Sequence, residues 1–209
     1  MARGLFISIE GPDGSGKSTQ LNNIKKFFQE RDTETIFTRE PGGTIIGEKI
    51  REVLLDKSHV EMDPMTEAML DAAARAQHVA QVIKPALAEG KVVVCDRFVD
   101  SSIAYQGYGR QLGDSVEIIN NYAVAGCMPD LTILMKLDPS IGKNRIGSRD
   151  QDRLELEKDA FHTSVFEGYL ALEKKYPDRI IGIDASRTIE DIKGDIYKKL
   201  EEVLQRVSE

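Results

Sequence analysis

The segment Gly11-Pro12-Asp13-Gly14-Ser15-Gly16-Lys17-Ser18-Thr19 constrains this chain more than any other. It satisfies the spacing G-x-x-x-x-G-K-[ST], with an apolar run at 5–9 before it and a helical pattern from Lys17 after it. That strand-loop-helix context is the one in which the spacing carries meaning. Glycines let the backbone curl so that successive N–H groups point at phosphate oxygens. The following helix adds the positive end of its dipole. Lys17 supplies a point charge for the β- and γ-phosphates, and the Ser18 hydroxyl can ligate Mg²⁺. A glycine-rich turn that merely started a helix would not need Lys17. The nine residues are therefore expected to hold a nucleoside triphosphate with Mg²⁺.

The rest of the chain is organised around that loop. Apolar and β-branched runs recur at 5–9, 35–38, 92–95, 131–137 and 180–183, separated by helical patterns at 17–31, 46–55, 65–89, 116–125, 160–176 and 188–207. The first, third and fourth runs are almost continuously apolar, as strands covered on both faces should be. Alternating strand and helix imply an α/β fold with a parallel sheet and helices on both sides. Ligands in such sheets sit at the carboxyl ends of the strands. Those ends are Glu10–Gly11, Arg39–Glu40, Asp96–Arg97, Asp138 and Asp184, all polar. No linker, low-complexity stretch or fixed-period repeat divides residues 1–209, which are read as one domain.

Charge looks at first like an objection to an anionic ligand. Lys+Arg is 28 and Asp+Glu is 35, a formal net charge of −7. That balance argues against long nucleic acid and anionic membrane, which recruit proteins through basic surfaces. It does not exclude a small polyanion in a local pocket. Cys95 and Cys127 match no disulfide framework or zinc pattern. His59, His78 and His162 are scattered and read as surface or satisfied core residues. The apolar run after the N-terminus is too short for a signal-peptide core or a bilayer span, so a cytoplasmic, reduced setting is the expectation.

A triphosphate can serve a switch, a motor or a transferase. A guanine-specific N-K-x-D motif and a D-x-x-G segment in place are both missing, and a motor's strand-end Asp-Glu is replaced here by Asp96-Arg97. Asp96 is the candidate strand-end carboxylate that positions Mg²⁺ or its waters. A basic residue beside it suggests a second phosphate in the same cleft. Arg39, Arg51, Arg75, Arg110, Arg145, Arg149 and Arg153 gather near the predicted ligand edge. Singly each is an ordinary surface arginine; together they suggest two phosphate groups held in line.

Thr38-Arg39-Glu40-Pro41-Gly42-Gly43, Asp96-Arg97-Phe98, the run Asp100 to Gly107 and the run Ser148 to Glu155 occur in the order of, and resemble, signature segments of bacterial thymidylate kinases. With the phosphate loop they cover most of the chain. The resemblance implies a three-layer P-loop kinase fold with a five-stranded parallel sheet, ATP and Mg²⁺ as cofactors, transfer of phosphate from ATP to dTMP, and a homodimer built from helices. It implies an acceptor site in which Asp13 lies near the sugar and phosphate, and Arg97, Arg39 and Arg51 hold the monophosphate. Arg75 and Gln106 would contact the base, with Ser102 beside them, and Tyr105 would face the sugar. Arg145 would lie along adenine, with 184–186 bringing backbone to the same side.

Some relatives carry an arginine at the place of Gly14; here none is available, so Arg149 or Arg153, in a lid segment at about 142–155, is expected to meet the transferring phosphoryl group. Such a group spreads negative charge over its equatorial oxygens, which a mobile arginine can meet once water is expelled. One residue departs from the pattern. Asp71 stands where the family has an aromatic ring against the base, and is expected to pair with Arg75 four residues on, with Phe98 or Tyr105 supplying a ring. A carboxylate there can also accept from an exocyclic amine, so a kinase for another pyrimidine nucleotide stays open. So does a non-catalytic ATP-binding module, which would need no second phosphate clamp.

Overall fold

The computed structural model describes residues 3–147 and 151–208. Five strands, β1 (Phe6–Glu10), β2 (Thr35–Arg39), β3 (Val92–Asp96), β4 (Leu131–Lys136) and β5 (Ile180–Asp184), form one all-parallel sheet in the order β2-β3-β1-β4-β5. The chain leaves β1 for the β2 side and, after β3, crosses to the other side of β1. Register pairs Asp96 with both Arg39 and Ile9, Glu10 with Leu134 and Lys136 with Asp184, so the polar strand ends line one edge. The expected fold class, the five strands and their parallel direction are all present.

Alternation within the strands sends side chains to the two faces of the sheet. Ile7, Ile9, Val92, Val94 and Ile133 pack under α1 (Lys17–Gln29) and α9 (Ile189–Ser208), which contributes Ile192, Ile196 and Leu200. Phe6, Val93 and Cys95 face the opposite layer. There the helical pattern expected at 65–89 is one rod of three parts: α3 (Pro64–His78), a π turn (Val79–Ile83) and α4 (Lys84–Ala88). Pro85 has no N–H to give to Gln81, and its ring would strike that carbonyl. The helix widens instead, with Lys84 N–H reaching back to Val79 O.

Two elements were not foreseen. After β3 the chain winds through α5 (Val99–Ser102) into a long π turn (Ile103–Gly109), largely buried. After β4 comes α7 (Pro139–Ile146), capped by Asp138, so the front of the expected lid segment is helical. The frame is completed by α2 (Ile45–Leu55), α6 (Asp114–Val124) and α8 (Asp159–Lys175). Asp71's neighbours on α3 pack toward α2 and α6, while α8 lies on the π turn after α5. No helix among the described residues is long and apolar enough to cross a membrane.

Candidate active site

The loop after β1 approaches its neighbours so closely that side chains are excluded. Gly14 has φ +76°, and a Cβ there would lie 2.3 Å from Gly142 O. Gly142 is equally bound, since its own Cβ would lie 2.3 Å from Asp13 O. The two glycines thus dock α7 directly on the phosphate loop. Position 14 has no room for an arginine, which agrees with the expectation that any such charge comes from elsewhere.

Lys17 turns back over the loop, its Nζ donating to Gly11 O at 2.9 Å and Pro12 O at 3.0 Å. Burial, and next the charge of Arg97, lower its pKa to about 8 against the opposing pull of Asp13, Asp96 and Glu10. Asp13 would be raised by burial. The charges of Arg97 and Lys17 and hydrogen bonds from Tyr105 and Arg97 outweigh that and hold it well below the usual carboxylate range.

A cavity of about 490 Å³ runs along the strand ends from this loop. Its wall brings together Asp13, Gly14, Gly16, Lys17, Ser18 and Thr19 with Arg39, Arg51, Arg75, Asp96, Arg97, Tyr105, Gln106 and Arg145. Arg97 is its most constrained member. Its φ is +65°, a left-handed value uncommon outside glycine, and its N–H is tied to Ile9 O at 2.9 Å. Arg97 Nη2 donates to Asp13 Oδ1 at 2.6 Å and Tyr105 OH at 3.1 Å, while Nη1 donates to Ser101 Oγ at 3.1 Å and Tyr169 OH at 3.0 Å. Arg39 and Arg51 both donate to Pro41 O, at 3.2 and 3.0 Å, and Glu48 steadies Arg39 at 2.9 Å. Across the cavity Arg145 donates to Ala185 O at 3.1 Å, joining α7 to the loop after β5.

Arg75 is fully buried apart from the face it turns to the cavity. Its Nε donates to Glu40 Oε2 at 2.7 Å, Nη1 to Ser102 Oγ at 2.8 Å and to Asn120 Oδ1, and Nη2 to Phe98 O at 3.2 Å. The expected direct pair with Asp71 is therefore replaced by a bridge, because the guanidinium is already committed to Glu40. Ser102 Oγ lies 2.9 Å from Asp71 Oδ2 and links the two side chains. Asp71 lines the cavity, and burial raises its carboxyl above the ordinary value despite Arg75 and Ser102. Phe98 is not free to stack on a base: it is fully buried, edge-on to Phe6 at 4.9 Å, with Arg75 over its ring. Of the two candidate rings, Tyr105 alone lines the cavity.

The lid residues separate. Arg149 lies outside the described residues. Arg153 does not line the cavity; its Nη2 donates to Glu67 Oε2 at 2.6 Å and its Nε to Leu54 O at 2.9 Å. Glu67, buried in α3, also accepts from Gln106 Nε2 at 2.8 Å and Arg110 Nη2 at 3.0 Å, and Arg110 reaches on to Glu157. Burial opposes its ionisation, but these hydrogen bonds lower its pKa.

Glu48, Glu67, Asn120 and Tyr169 are thus the partners that reading by motif passed over, while Glu10 and Glu40 stood out only as polar strand ends. His78 is a satisfied core residue, 2.8 Å from Glu40 and 2.7 Å from Thr38. Cys95 and Cys127 are free and buried, and burial pushes the Cys95 thiol well up.

Three buried side-chain polar atoms have no hydrogen-bond partner among the described residues: Ser15 Oγ, Asp96 Oδ1 and Gln106 Oε1. Such atoms are few in native proteins and ask for an explanation. Asp96 and Gln106 both line the cavity, at its phosphate-loop and acceptor sides. A free carboxylate oxygen at a strand end, with the Ser18 hydroxyl in the same cavity, is an all-oxygen set of the kind Mg²⁺ takes together with phosphate oxygens and water.

Comparison with known proteins gives one consistent answer. The family model described as thymidylate kinase matches residues 9–196. A thymidylate kinase of an Exiguobacterium species is 49% identical over 205 residues, covering 97% of each chain. One of Clostridium novyi is 50% identical over 202 residues, covering 93% of this chain and 98% of its own. The crystal structure of thymidylate kinase from Ehrlichia chaffeensis superposes with a TM-score of 0.78 at 30% identity, over 95% of this chain and 99% of that one.

Proposed function

The chain belongs to the thymidylate kinase family, and on that premise we propose that it transfers the γ-phosphoryl group of ATP to dTMP, giving ADP and dTDP. The observation that carries this reading is the single cavity joining the phosphate loop to the arginines at positions 39, 51 and 97. A binding module has no use for a second anion clamp facing the first. Phosphoryl transfer needs positioning and charge more than covalent chemistry, and this lining supplies both.

In this reading residues 11–19 and Arg145 hold ATP, with Lys17 on its β- and γ-phosphates. Arg97, Arg39 and Arg51 hold the acceptor phosphate, Asp13 and Tyr105 the sugar, and Arg75, Ser102 and Gln106 the base. Asp96 and Ser18 are the residues that would hold Mg²⁺, which when bound neutralises charge on the phosphates. Arg149 is assigned to the transferring group, because Arg153 is committed to Glu67 and to the carbonyl of Leu54. A homodimer is supported by apolar side chains exposed on three adjoining helices: Ile46 and Val53 on α2, Met69 on α3, and Ile118 and Tyr122 on α6. Two cysteines kept as free thiols support a reducing, cytoplasmic setting.

Asp71 favours a second reading, a preference for a base with an exocyclic amine. One experiment separates the two: ADP formation with ATP, Mg²⁺ and dTMP, dUMP, dCMP, UMP or dGMP in turn. The fastest turnover is expected with dTMP. Preference for dCMP would move the base assignment and keep the mechanism; no turnover with any acceptor would overturn the kinase reading.

A further inference from the structure

We propose that Glu10 is a positioning residue for Arg97, acting through the hydroxyls of Ser101 and Tyr169. The inference rests on the acceptor-phosphate role proposed for Arg97. Glu10 ends β1, fully buried, and is not part of the cavity wall. Its Oε1 accepts from Phe98 N–H at 2.7 Å, and its Oε2 accepts from Ser101 Oγ at 2.5 Å and Tyr169 OH at 3.2 Å. The oxygens of those same two hydroxyls accept from Arg97 Nη1 at 3.1 and 3.0 Å.

A hydroxyl has one proton and two lone pairs. Ser101 Oγ and Tyr169 OH also lie 2.9 Å apart, so the Ser101 proton goes to the Glu10 carboxylate and the Tyr169 proton to that carboxylate or to Ser101 Oγ, and lone pairs on both oxygens are left to receive Nη1–H. Without that carboxylate a hydroxyl proton is free to turn toward Nη1, where donor would face donor. Arg97 is thus held from both ends of its fork: directly by Asp13 on Nη2, and by Glu10 through two hydroxyls on Nη1. A left-handed φ at a non-glycine residue persists only where its surroundings over-determine it, and this double hold does so.

Glu10 is pushed up to about 7, chiefly by burial and next by Asp100, against Ser101, Arg97 and the Phe98 N–H. Around it stand Lys17 on α1, Arg75 on α3, Cys95 on β3, Arg97 and Asp100 beyond it, Tyr169 on α8, and Arg179 before β5. The carboxylate form of the relay therefore builds up as pH rises through neutrality.

Steady-state kinetics of full-length Glu10→Gln and Tyr169→Phe, with ATP and dTMP varied separately, test this. Glu10→Gln is expected to raise the KM for dTMP about tenfold with the KM for ATP within about twofold, the size of one hydrogen bond to a charged group. The wild-type to Glu10→Gln ratio of kcat/KM for dTMP should rise from near one at about pH 6 to about ten at about pH 8; the ratio cancels the substrate's own titration. Tyr169→Phe, which removes one hydroxyl of two, should raise the dTMP KM about threefold, and decides the matter if Glu10→Gln does not fold. A ratio flat in pH, or both KM values rising together, would overturn the relay. Arg97→Lys separates the two claims. If it leaves the dTMP KM unchanged, the acceptor role of Arg97 falls and the relay with it. If it raises that KM while Glu10→Gln and Tyr169→Phe do not, only the relay falls.

Discussion

The two ends of the cavity are built by different means. At the donor end, six of the nine residues of one continuous loop line the cavity, and the work is done by backbone N–H groups, two glycine contacts and one lysine. At the acceptor end, the lining side chains come from β2, α2, α3, the turn after β3 and the π turn after α5, and the innermost, Arg75, Arg97 and Gln106, are steered by partners from elsewhere in the chain. A local loop can lose a side chain without disturbing the fold. A wall of interlocked charges tolerates less, because removing a guanidinium as deeply paired as Arg75 leaves a carboxylate short of its charge partner in a dry place.

Arg75→Met and Lys17→Met put that difference to its hardest test. Arg75→Met takes from the buried Glu40 the arginine bonded to it at 2.7 Å, leaving it with the His78 contact, and should destabilise the protein by about 3–5 kcal/mol in thermal or denaturant unfolding. Lys17→Met removes a buried charge bonded to two loop carbonyls and paired with Asp13 at 4.0 Å, so unfolding should hardly shift. Its effect should appear in kcat instead, as a loss of about 10²–10³-fold, the size of one preorganised donor at developing charge. Equal shifts in unfolding for the two variants would erase the distinction.

That same contrast decided what could be read beforehand. The donor loop was legible because its residues are adjacent in the chain and its spacing is a consequence of one physical job. The five strands were legible from buried apolar runs. The acceptor wall was only half legible: the arginines were visible, and Glu10 and Glu40 as polar strand ends, but not the pairing of these groups with one another or with Glu67, Asn120 and Tyr169, which lie far apart in sequence and follow no local period. Asp71 shows the limit well. Helical spacing alone pairs it with Arg75, yet Glu40, 35 residues before Arg75, takes the guanidinium first. The segment Val99–Gly109 hid as a helix because Gly107, Gly109 and several β-branched or aromatic residues break any amphipathic pattern, and it is buried from several sides. By contrast α7 carried a usable signal, Asp138 before Pro139, a cap and a first-turn proline.

The donor end should also be the more sensitive to pH on the alkaline side. A lysine with its pKa lowered to about 8 binds an anion only while protonated. Thus kcat/KM for ATP should fall tenfold per pH unit above about 8 in the wild type, and the limb should vanish in Lys17→Met. Persistence of the limb in that variant would assign it to another group.

At the acceptor end, Asp71→Phe sharpens the comparison by adding a ring rather than removing a charge. A stacked base is worth about 1–3 kcal/mol, but Ser102 loses an acceptor in the exchange. A net gain of about fivefold in dTMP affinity is expected by titration calorimetry. No gain would mean that Asp71 does not face the base.

The smallest effect is expected where the two ends meet, at the lid. Arg153 ties the segment after α7 to Glu67 on α3 and to the carbonyl end of α2, so it couples lid position to the acceptor wall. Removing it leaves Glu67 with Arg110 and Gln106, and no buried charge is stranded. Arg153→Met should therefore unfold almost as the wild type does. A lid held less firmly binds both substrates less well, and a change of about 1 kcal/mol in its docking raises both KM values about fivefold while kcat changes little. An arginine acting on the transferring phosphoryl group behaves in the opposite way: its loss lowers kcat by about 10²–10³-fold and spares KM. The first pattern makes Arg153 a latch and leaves the reaction to Arg149. The second would show that the Glu67 contact is a resting place from which Arg153 swings to the phosphates, and the acceptor wall would then be supplying the donor end with its charge.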